Sequence, residues 1–191
     1  MRRNVFTNLV AGCLFLFFCI VPPCIEARAE RCQLHLLTGA DYYYALKDAV
    51  DQAHHSIFLA IYLFKTDKHP SNRATAILLA LVRAAHRGVN ITALLERNDD
   101  PSSFINIENE RTGKRLQEAG ANVYWDRVDR KLHIKAIVID RQIVFLGSHN
   151  LTHSAMKYNQ EMSLVISDAH LADQIIKKIS SLPKTPFKRQ P

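Results

Sequence analysis

Glycine and tryptophan are scarce in this sequence, and neither of the common glycine-rich phosphate loops is present. The chain of 191 residues contains six glycines and one tryptophan. No glycine falls in a G-x-G-x-x-G or G-x-x-x-x-G-K pattern, which argues against a dinucleotide cofactor or a P-loop nucleotide. There is no internal repeat or low-complexity tract. The length, with 23% charged residues, suits one globular domain rather than a disordered or repeat protein.

Cysteine is scarce beyond the first part of the chain, since three of the four cysteines lie before position 25. In that part, two arginines follow the first methionine and positions 9–21 are almost wholly apolar. A Pro-Pro pair then breaks any helix, and Ala-Arg-Ala at 27–29 has the form of a cleavage site. This order predicts a signal peptide over residues 1–29 and a periplasmic or secreted protein. The apolar run is shorter than the ~20 residues of a membrane span; a membrane anchor formed by the uncleaved segment is the alternative.

Cleavage after Ala29 would leave Cys32 as the one remaining cysteine. No disulfide framework could then support the fold, although a disulfide between two chains is an alternative to a free thiol. The formal net charge is +7. Cleavage would remove three arginines and one glutamate and leave the remainder basic. A basic protein favours a polyanionic partner, either nucleic acid or an anionic membrane surface, and charge alone does not choose between them.

Strand-like and helix-like patterns alternate between residues 33 and 182, which predicts an α/β fold. The continuous apolar run at 56–64 suits a strand buried on both faces. Residues 71–86 carry an apolar stripe at helical spacing. We therefore predict one domain over residues 30–182, followed by a basic, flexible tail over residues 183–191.

Two later segments matter for the chemistry. Strands are predicted at 132–139 and 142–146, joined by a tight turn at Asp140 and Arg141. Upstream of them, residues 98–109 have the composition of a polar loop, and residues 110–119 resemble a short charged helix. Polar residues within and just after this apolar strand pair need a hydrogen-bond partner or a function.

Those polar residues are His133, Lys135 and Asp140, in the spacing H-x-K-x-x-x-x-D, with Ser148 and Asn150 just beyond the second strand. Residues two apart on a strand point to the same face, so His133 and Lys135 are expected side by side. A polar pair on an apolar strand must be satisfied or functional. An imidazole beside an ammonium suits a phosphate group, because one can attack or transfer a proton while the other neutralises charge.

This combination resembles the signature of the phospholipase D superfamily, H-x-K-x4-D followed by G-[ST]-x-N, with Glu161 matching the downstream N-x-E. The segments AHHSIFLAIYLF, VRAAHRGVNITALLE and GSHNLTHSAMKYNQEMSLVI extend the resemblance to bacterial single-motif members. It implies an α/β/α sandwich with a mixed sheet and a covalent phosphohistidine intermediate. No metal or other cofactor is implied. Because such enzymes need two facing motifs and this chain has one, it also implies a homodimer with the active site on the two-fold axis.

The resemblance implies a role for each matched residue. His133 attacks phosphorus in one chain and protonates the leaving oxygen from the other. Lys135 and Asn150 hold the non-bridging oxygens, with Ser148 in support. Glu161 accepts a hydrogen bond from the far ring nitrogen of the histidine and fixes its tautomer. The alternatives are a turn residue for Asn150 and a solvated charge at a strand start for Glu161.

Other polar residues are assigned less chemistry. We expect Asp140 to be a structural anchor rather than a phosphate ligand, because it lies at a turn seven residues after His133. His149 and His153 are expected on the surface or the rim of the site, since their spacing matches no metal cluster.

The substrate is the weaker prediction. The first hypothesis is an exported endonuclease of DNA or RNA with little sequence preference, in which Arg127, Arg130 and Lys131 follow a phosphate backbone. A solvated loop is the alternative for these three. The second hypothesis is a phospholipase D-type hydrolase of phosphatidyl lipids or cardiolipin, which shares the same chemistry. The third is a member that binds nucleic acid without catalysis.

Overall fold

The computed structural model describes residues 33–187, so the predicted signal peptide and Cys32 lie outside the described residues. The chain forms one eight-stranded mixed sheet with the strand order β1-β7-β6-β5-β2-β3-β4-β8. The strands are β1 (Gln33–Thr38), β2 (Ser56–Ile61), β3 (Asn90–Leu95), β4 (Asn122–Asp126), β5 (Lys135–Ile139), β6 (Ile143–Gly147), β7 (Met162–Ser167) and β8 (Lys184–Pro186). The helices are α1 (Ala40–Asp51), α2 (Arg73–His86), α3 (Phe104–Glu118) and α4 (Ala169–Ser181).

Helices pack on both faces of the sheet, as the α/β prediction requires. Helices α1, α2 and α3 pack on one face and share the largest apolar core, while α4 packs on the other. Strands β2, β3 and β4 are parallel and joined by helices, and the other pairings between the eight named strands are antiparallel. The β2 segment is buried on both faces, which explains why its sequence is continuously apolar.

The strand register brings several chain segments together at one edge of the sheet. Ile61 ends β2 and pairs with Lys135, which begins β5. Gly147 ends β6 and pairs with Ser163 near the start of β7. Strands β3 and β4 also end here, because they run parallel to β2. We call this the site edge, and it collects the segments that carry the polar motif.

The strand predicted at 132–139 begins later than expected, at Lys135. His133 therefore precedes the strand, and the argument that His133 and Lys135 share a strand face is wrong. The cause is hydrogen bonding outside the sheet, since the His133 N–H donates to the carbonyl of Lys131 and the Leu132 N–H donates to a glutamate side chain. Helix α3 is also longer than predicted, because it begins at Phe104 within the expected loop.

The predicted flexible tail is wrong for residues 184–187. Lys184–Pro186 forms the edge strand β8, antiparallel to β4. The Phe187 side chain is buried and stacks on Trp125, with 5.0 Å between the ring centroids. Apolar burial of this one aromatic ring fixes the segment, and a proline is compatible with an edge strand. Over residues 33–187, no helix has the length and apolar character needed to cross a bilayer.

Candidate active site

His133 lies at the site edge with its side chain exposed to solvent. Its ring meets the Tyr62 ring edge-on, with 4.8 Å between centroids. Desolvation lowers the pKa of His133 below its usual range, and the positive charges of Lys135 and Lys131 lower it further. The imidazole is therefore largely neutral at pH 7, which is the form that can act as a nucleophile.

Lys135 begins β5 and is buried, with only 8% of its surface exposed. Its Nζ donates a 2.9 Å hydrogen bond to the carbonyl of His133 and lies 5.0 Å from the centre of the Tyr62 ring. Burial lowers the pKa of Lys135, while the charge of Glu161 acts in the opposite direction. Lys135 is thus adjacent to His133 even though the two do not share a strand.

Ser148 and Glu161 meet at the site edge, where Ser148 directly follows β6 and Glu161 directly precedes β7. The Ser148 hydroxyl donates to the carboxylate of Glu161, and the Asn159 side-chain amide donates to the other carboxylate oxygen at 3.1 Å. The Met162 N–H donates to the Ser148 Oγ at 3.1 Å. No hydrogen bond joins Glu161 to His133 in the described chain. The expected contact with the histidine ring is therefore not made here, and Glu161 instead orients Ser148.

Asn150 carries an unpaired acceptor. Its Oδ1 is buried and has no hydrogen-bond partner within the described residues. The next residue, Leu151, is fixed by backbone hydrogen bonds to Leu63 and Lys65, so the position of Asn150 is well defined. A buried acceptor without a donor costs about 1–3 kcal/mol, so a donor from water, a ligand or a second chain would stabilise this position.

His149 is completely buried, so the prediction of a surface or rim position is wrong for it. Its ring stacks on Tyr42 of α1, with 4.1 Å between centroids and 3° between planes, and its Nδ1 lies 2.8 Å from the Ser163 Oγ. The sequence contained one indication of this burial. Side chains alternate between the two faces of an extended chain, so His149 points away from Ser148 and Asn150, toward the helix layer. His153 is half-buried and accepts the N–H of Arg73 through Nδ1.

Asp140 lies far along the hairpin from these residues. It follows the last residue of β5, while Lys135 begins that strand, so the two mark opposite edges of the sheet. Its carboxylate accepts the backbone N–H groups of His54, His55 and Ser56 at 2.8–2.9 Å. Burial acts to raise the pKa of Asp140, but these donors outweigh it and lower the pKa overall. The structure does not bring Asp140 to the site edge.

The three basic residues proposed to follow a phosphate backbone lie in the loop between β4 and His133. Arg127, Arg130 and Lys131 are all exposed. Arg127 pairs with Asp129 at 3.0 Å, whereas Lys131 is near enough to influence His133 electrostatically. Among the described residues, no group of three or more His, Cys, Asp or Glu side chains is placed to hold a metal ion.

Comparison with known sequences identifies relatives of this chain. Residues 46–182 match the family described as "Cardiolipin synthase, PLD-like domain". A phospholipase D from Rickettsia bellii is 34% identical over 131 residues, which cover 69% of this chain and 58% of the relative. Cardiolipin synthase A from Serratia proteamaculans is 33% identical over 92 residues, covering 48% of this chain and 18% of the relative. The chain thus spans 58% of the length of the first of these relatives.

Two solved structures share the fold over their whole length. A phospholipase D family member, Nuc from Salmonella typhimurium, superposes with a TM-score of 0.68 at 22% identity, covering 82% of this chain and 100% of that chain. NucT from Helicobacter pylori superposes with a TM-score of 0.65 at 18% identity, covering 82% of this chain and 99% of that chain. At these identities the likeness establishes the α/β architecture.

Proposed function

The chain belongs to the phospholipase D superfamily, and on that premise we propose that it is a metal-independent phosphodiesterase that acts through a phosphohistidine intermediate. One observation carries the proposal. An exposed, largely neutral His133 lies beside the ammonium group of Lys135, on the sheet edge that also holds Ser148 and Asn150. A nucleophile, a cation and hydrogen-bonding side chains are the groups that phosphoryl transfer requires.

The proposed reaction has two steps. The His133 imidazole attacks phosphorus, a P–N bond forms, and the P–O bond to the leaving group breaks. The departing oxygen takes a proton from His133 of a second chain. Water then attacks the phosphohistidine and gives its proton to that second histidine as the P–N bond breaks. Two nearby histidines favour one neutral and one protonated ring, so identical residues can supply both roles.

A homodimer would supply the second histidine, and an exposed apolar surface supports it. On the α4 face of the sheet, apolar side chains of β1, β6 and β7 stay exposed, and those at the end of β6 and the start of β7 lie at the site edge. We call this the apolar patch, and it consists of Leu34, Leu36, Leu146 and Met162. A contiguous apolar surface of this kind marks an interaction site. Its position beside the site edge suits a second copy that completes the active site.

Nucleic acid is the substrate class we favour. The net charge is +7, and exposed Arg130 and Lys131 precede His133 by three and two residues, in a position to contact a phosphate chain that enters the site. Exposed aromatic and basic side chains also occur together at the site edge, as where Lys157 lies over Tyr158. Aromatic rings can stack on bases of any sequence, which suits an enzyme with little sequence preference.

Phosphatidyl lipid is the second candidate, since curated relatives carry the names phospholipase D and cardiolipin synthase A. The test incubates the purified protein, with and without a chelator, with plasmid DNA, RNA and vesicles of labelled phosphatidylglycerol. Cleavage of nucleic acid without lipid turnover supports the first candidate, and the reverse supports the second.

Export to the periplasm or beyond is a separate proposal that rests on residues 1–29, and N-terminal sequencing of the exported protein tests it.

The matched variants for this assay are His133→Ala and His86→Ala. His133→Ala is expected to lower turnover by about 10³-fold or more, because the proposed covalent intermediate forms on the His133 ring. His86 is exposed at the far end of α2, so its loss should leave turnover unchanged. Substantial turnover by His133→Ala, or complete loss in the chelator, would contradict the mechanism.

A further inference from the structure

We propose that Glu96 is a positioning residue that holds His133 in place for attack, an inference that rests on the proposed role of His133. Glu96 immediately follows β3 and is only 2% exposed. Its Oε2 accepts the N–H of Leu132 at 2.6 Å. Leu132 is the residue before His133, so the carboxylate fixes the chain one peptide away from the reacting ring.

The other side of His133 is fixed by a second contact. The carbonyl of Ile134 accepts the N–H of Tyr62 at 3.0 Å. Tyr62 also meets the His133 ring edge-on through its side chain. His133 lies outside the sheet and is exposed, yet both of its neighbours are tied to residues that directly follow buried strands. A side chain held in this way loses little freedom on reaching the transition state.

Glu96 and Tyr62 are themselves joined by one amide. The Asn109 side chain of α3 is completely buried, and its Nδ2 donates 2.9 Å hydrogen bonds to the carbonyls of Tyr62 and Glu96. Its Oδ1 accepts the N–H of Phe64 at 2.8 Å. Helix α3 therefore connects the ends of β2 and β3, whose following residues Tyr62 and Glu96 bind the neighbours of His133.

Burying the carboxylate of Glu96 destabilises the folded protein, because its charged form loses hydration. This cost argues that Glu96 has a function beyond folding. None of the salt bridges of the described residues includes it. Burial raises its pKa and the nearby carboxylate of Asp126 raises it further, against the lowering effects of the Leu132 N–H and the charge of Lys131. A buried carboxylate with a perturbed pKa next to a reacting group is characteristic of functional sites. A charged acceptor also forms a stronger hydrogen bond than a neutral one.

The test compares Glu96→Met, which keeps the side-chain volume and removes the acceptor, with Glu96→Gln, which keeps a carbonyl acceptor without the charge. Asp126→Asn is the control, because it neutralises the neighbouring carboxylate and leaves the Leu132 contact intact. The synthetic phosphodiester bis(p-nitrophenyl) phosphate is the substrate for measuring kcat and KM, so the assay does not depend on whether the natural substrate is nucleic acid or lipid. The NMR titration of the His133 ring, together with thermal unfolding, reports on the free protein.

We expect Glu96→Met to lower kcat about 10- to 100-fold with KM within about two-fold, and to shift the His133 ring signals while the protein stays folded. Glu96→Gln should recover most of kcat and the wild-type ring signals, and Asp126→Asn should keep both. Wild-type kcat and ring signals in Glu96→Met, or a Glu96→Gln variant no better than Glu96→Met, would overturn the proposal. If the wild-type protein turns over no phosphodiester, the proposed function fails, and the His133 titration still decides the positioning role.

Discussion

His149 shows how a single side chain at the site can make stability depend on pH. The ring is buried between Tyr42 and Ser163, and its Nε2 has no partner in the described part of the chain. Burial lowers the pKa of His149 below its usual range, partly offset by the charge of Glu161. The unfolded chain therefore binds a proton more readily than the folded protein, and the free energy of unfolding decreases as pH falls below about 6.5.

The variant His149→Phe should weaken this dependence. Phenylalanine can stack on Tyr42 in the same way but cannot take up a proton. We expect the free energy of unfolding of the variant to fall less steeply than that of the wild type between about pH 7 and pH 5, although His133 and His153 still contribute in the same direction. Urea unfolding at a series of pH values measures the two slopes. Parallel curves would show that His149 does not titrate on unfolding.

At the scale of elements, the β5–β6 hairpin is fixed by its turn. Asp140 and Arg141 adopt left-handed φ values of 50° and 55°. The Asp140 carboxylate ties the turn to the start of β2 through three backbone donors. This connection joins the hairpin that carries Lys135 to the central parallel strands, so Asp140 acts on the site only through the sheet.

Replacing Asp140 with asparagine removes the charge and one of the two acceptor oxygens, while the backbone is preserved because asparagine also tolerates the left-handed conformation. We expect the variant to lose about 1–3 kcal/mol of unfolding free energy at pH 7. The lowered pKa of Asp140 means that its contribution is complete above about pH 5 and is lost as pH falls further. The difference from the wild type should therefore shrink near pH 3.

Urea unfolding measures this difference, with Asp129→Asn as the control. Asp129 is an exposed carboxylate whose ion pair with Arg127 lies at the surface, so its loss should change the unfolding free energy by less than about 0.5 kcal/mol. If the two variants proved equally stable, the Asp140 carboxylate would not anchor the hairpin.

The elements that sequence patterns predicted well are those with local signals. The hairpin turn and the apolar β2 run follow from residue types alone. The first part of α3 was missed because its buried face is polar: Asn106 and Asn109 satisfy loop backbone groups instead of packing against apolar side chains. The late start of β5 was missed for a similar reason. It depends on Glu96, which is distant in sequence from Leu132 and has no local signal for that contact.

At the scale of the whole molecule, the site residues of one chain are incomplete for the proposed reaction. Within residues 33–187, the His133 ring donates no hydrogen bond to Glu161, and the Oδ1 of Asn150 has no donor. The motif and the need for a second copy of it could be predicted from sequence. The contact of Glu161 with Ser148 could not, because it depends on which groups the folded chain brings together. The proposed homodimer requires that a second copy, docked over the apolar patch, supply another His133 at the site edge.

Leu36 tests the dimer because it is the most exposed leucine of the apolar patch, at 60%. Leu36→Lys would place a charge where two copies meet, and the desolvation cost of burying it should prevent association. Leu79→Lys is the matched control, since Leu79 is 41% exposed on α2, away from the patch. Sedimentation should show a monomer for Leu36→Lys and a dimer for the wild type and Leu79→Lys. Phosphodiesterase turnover should fall with the dimer fraction, because the proposed mechanism uses His133 from both chains. A fully active monomeric Leu36→Lys would show that one chain completes its own site.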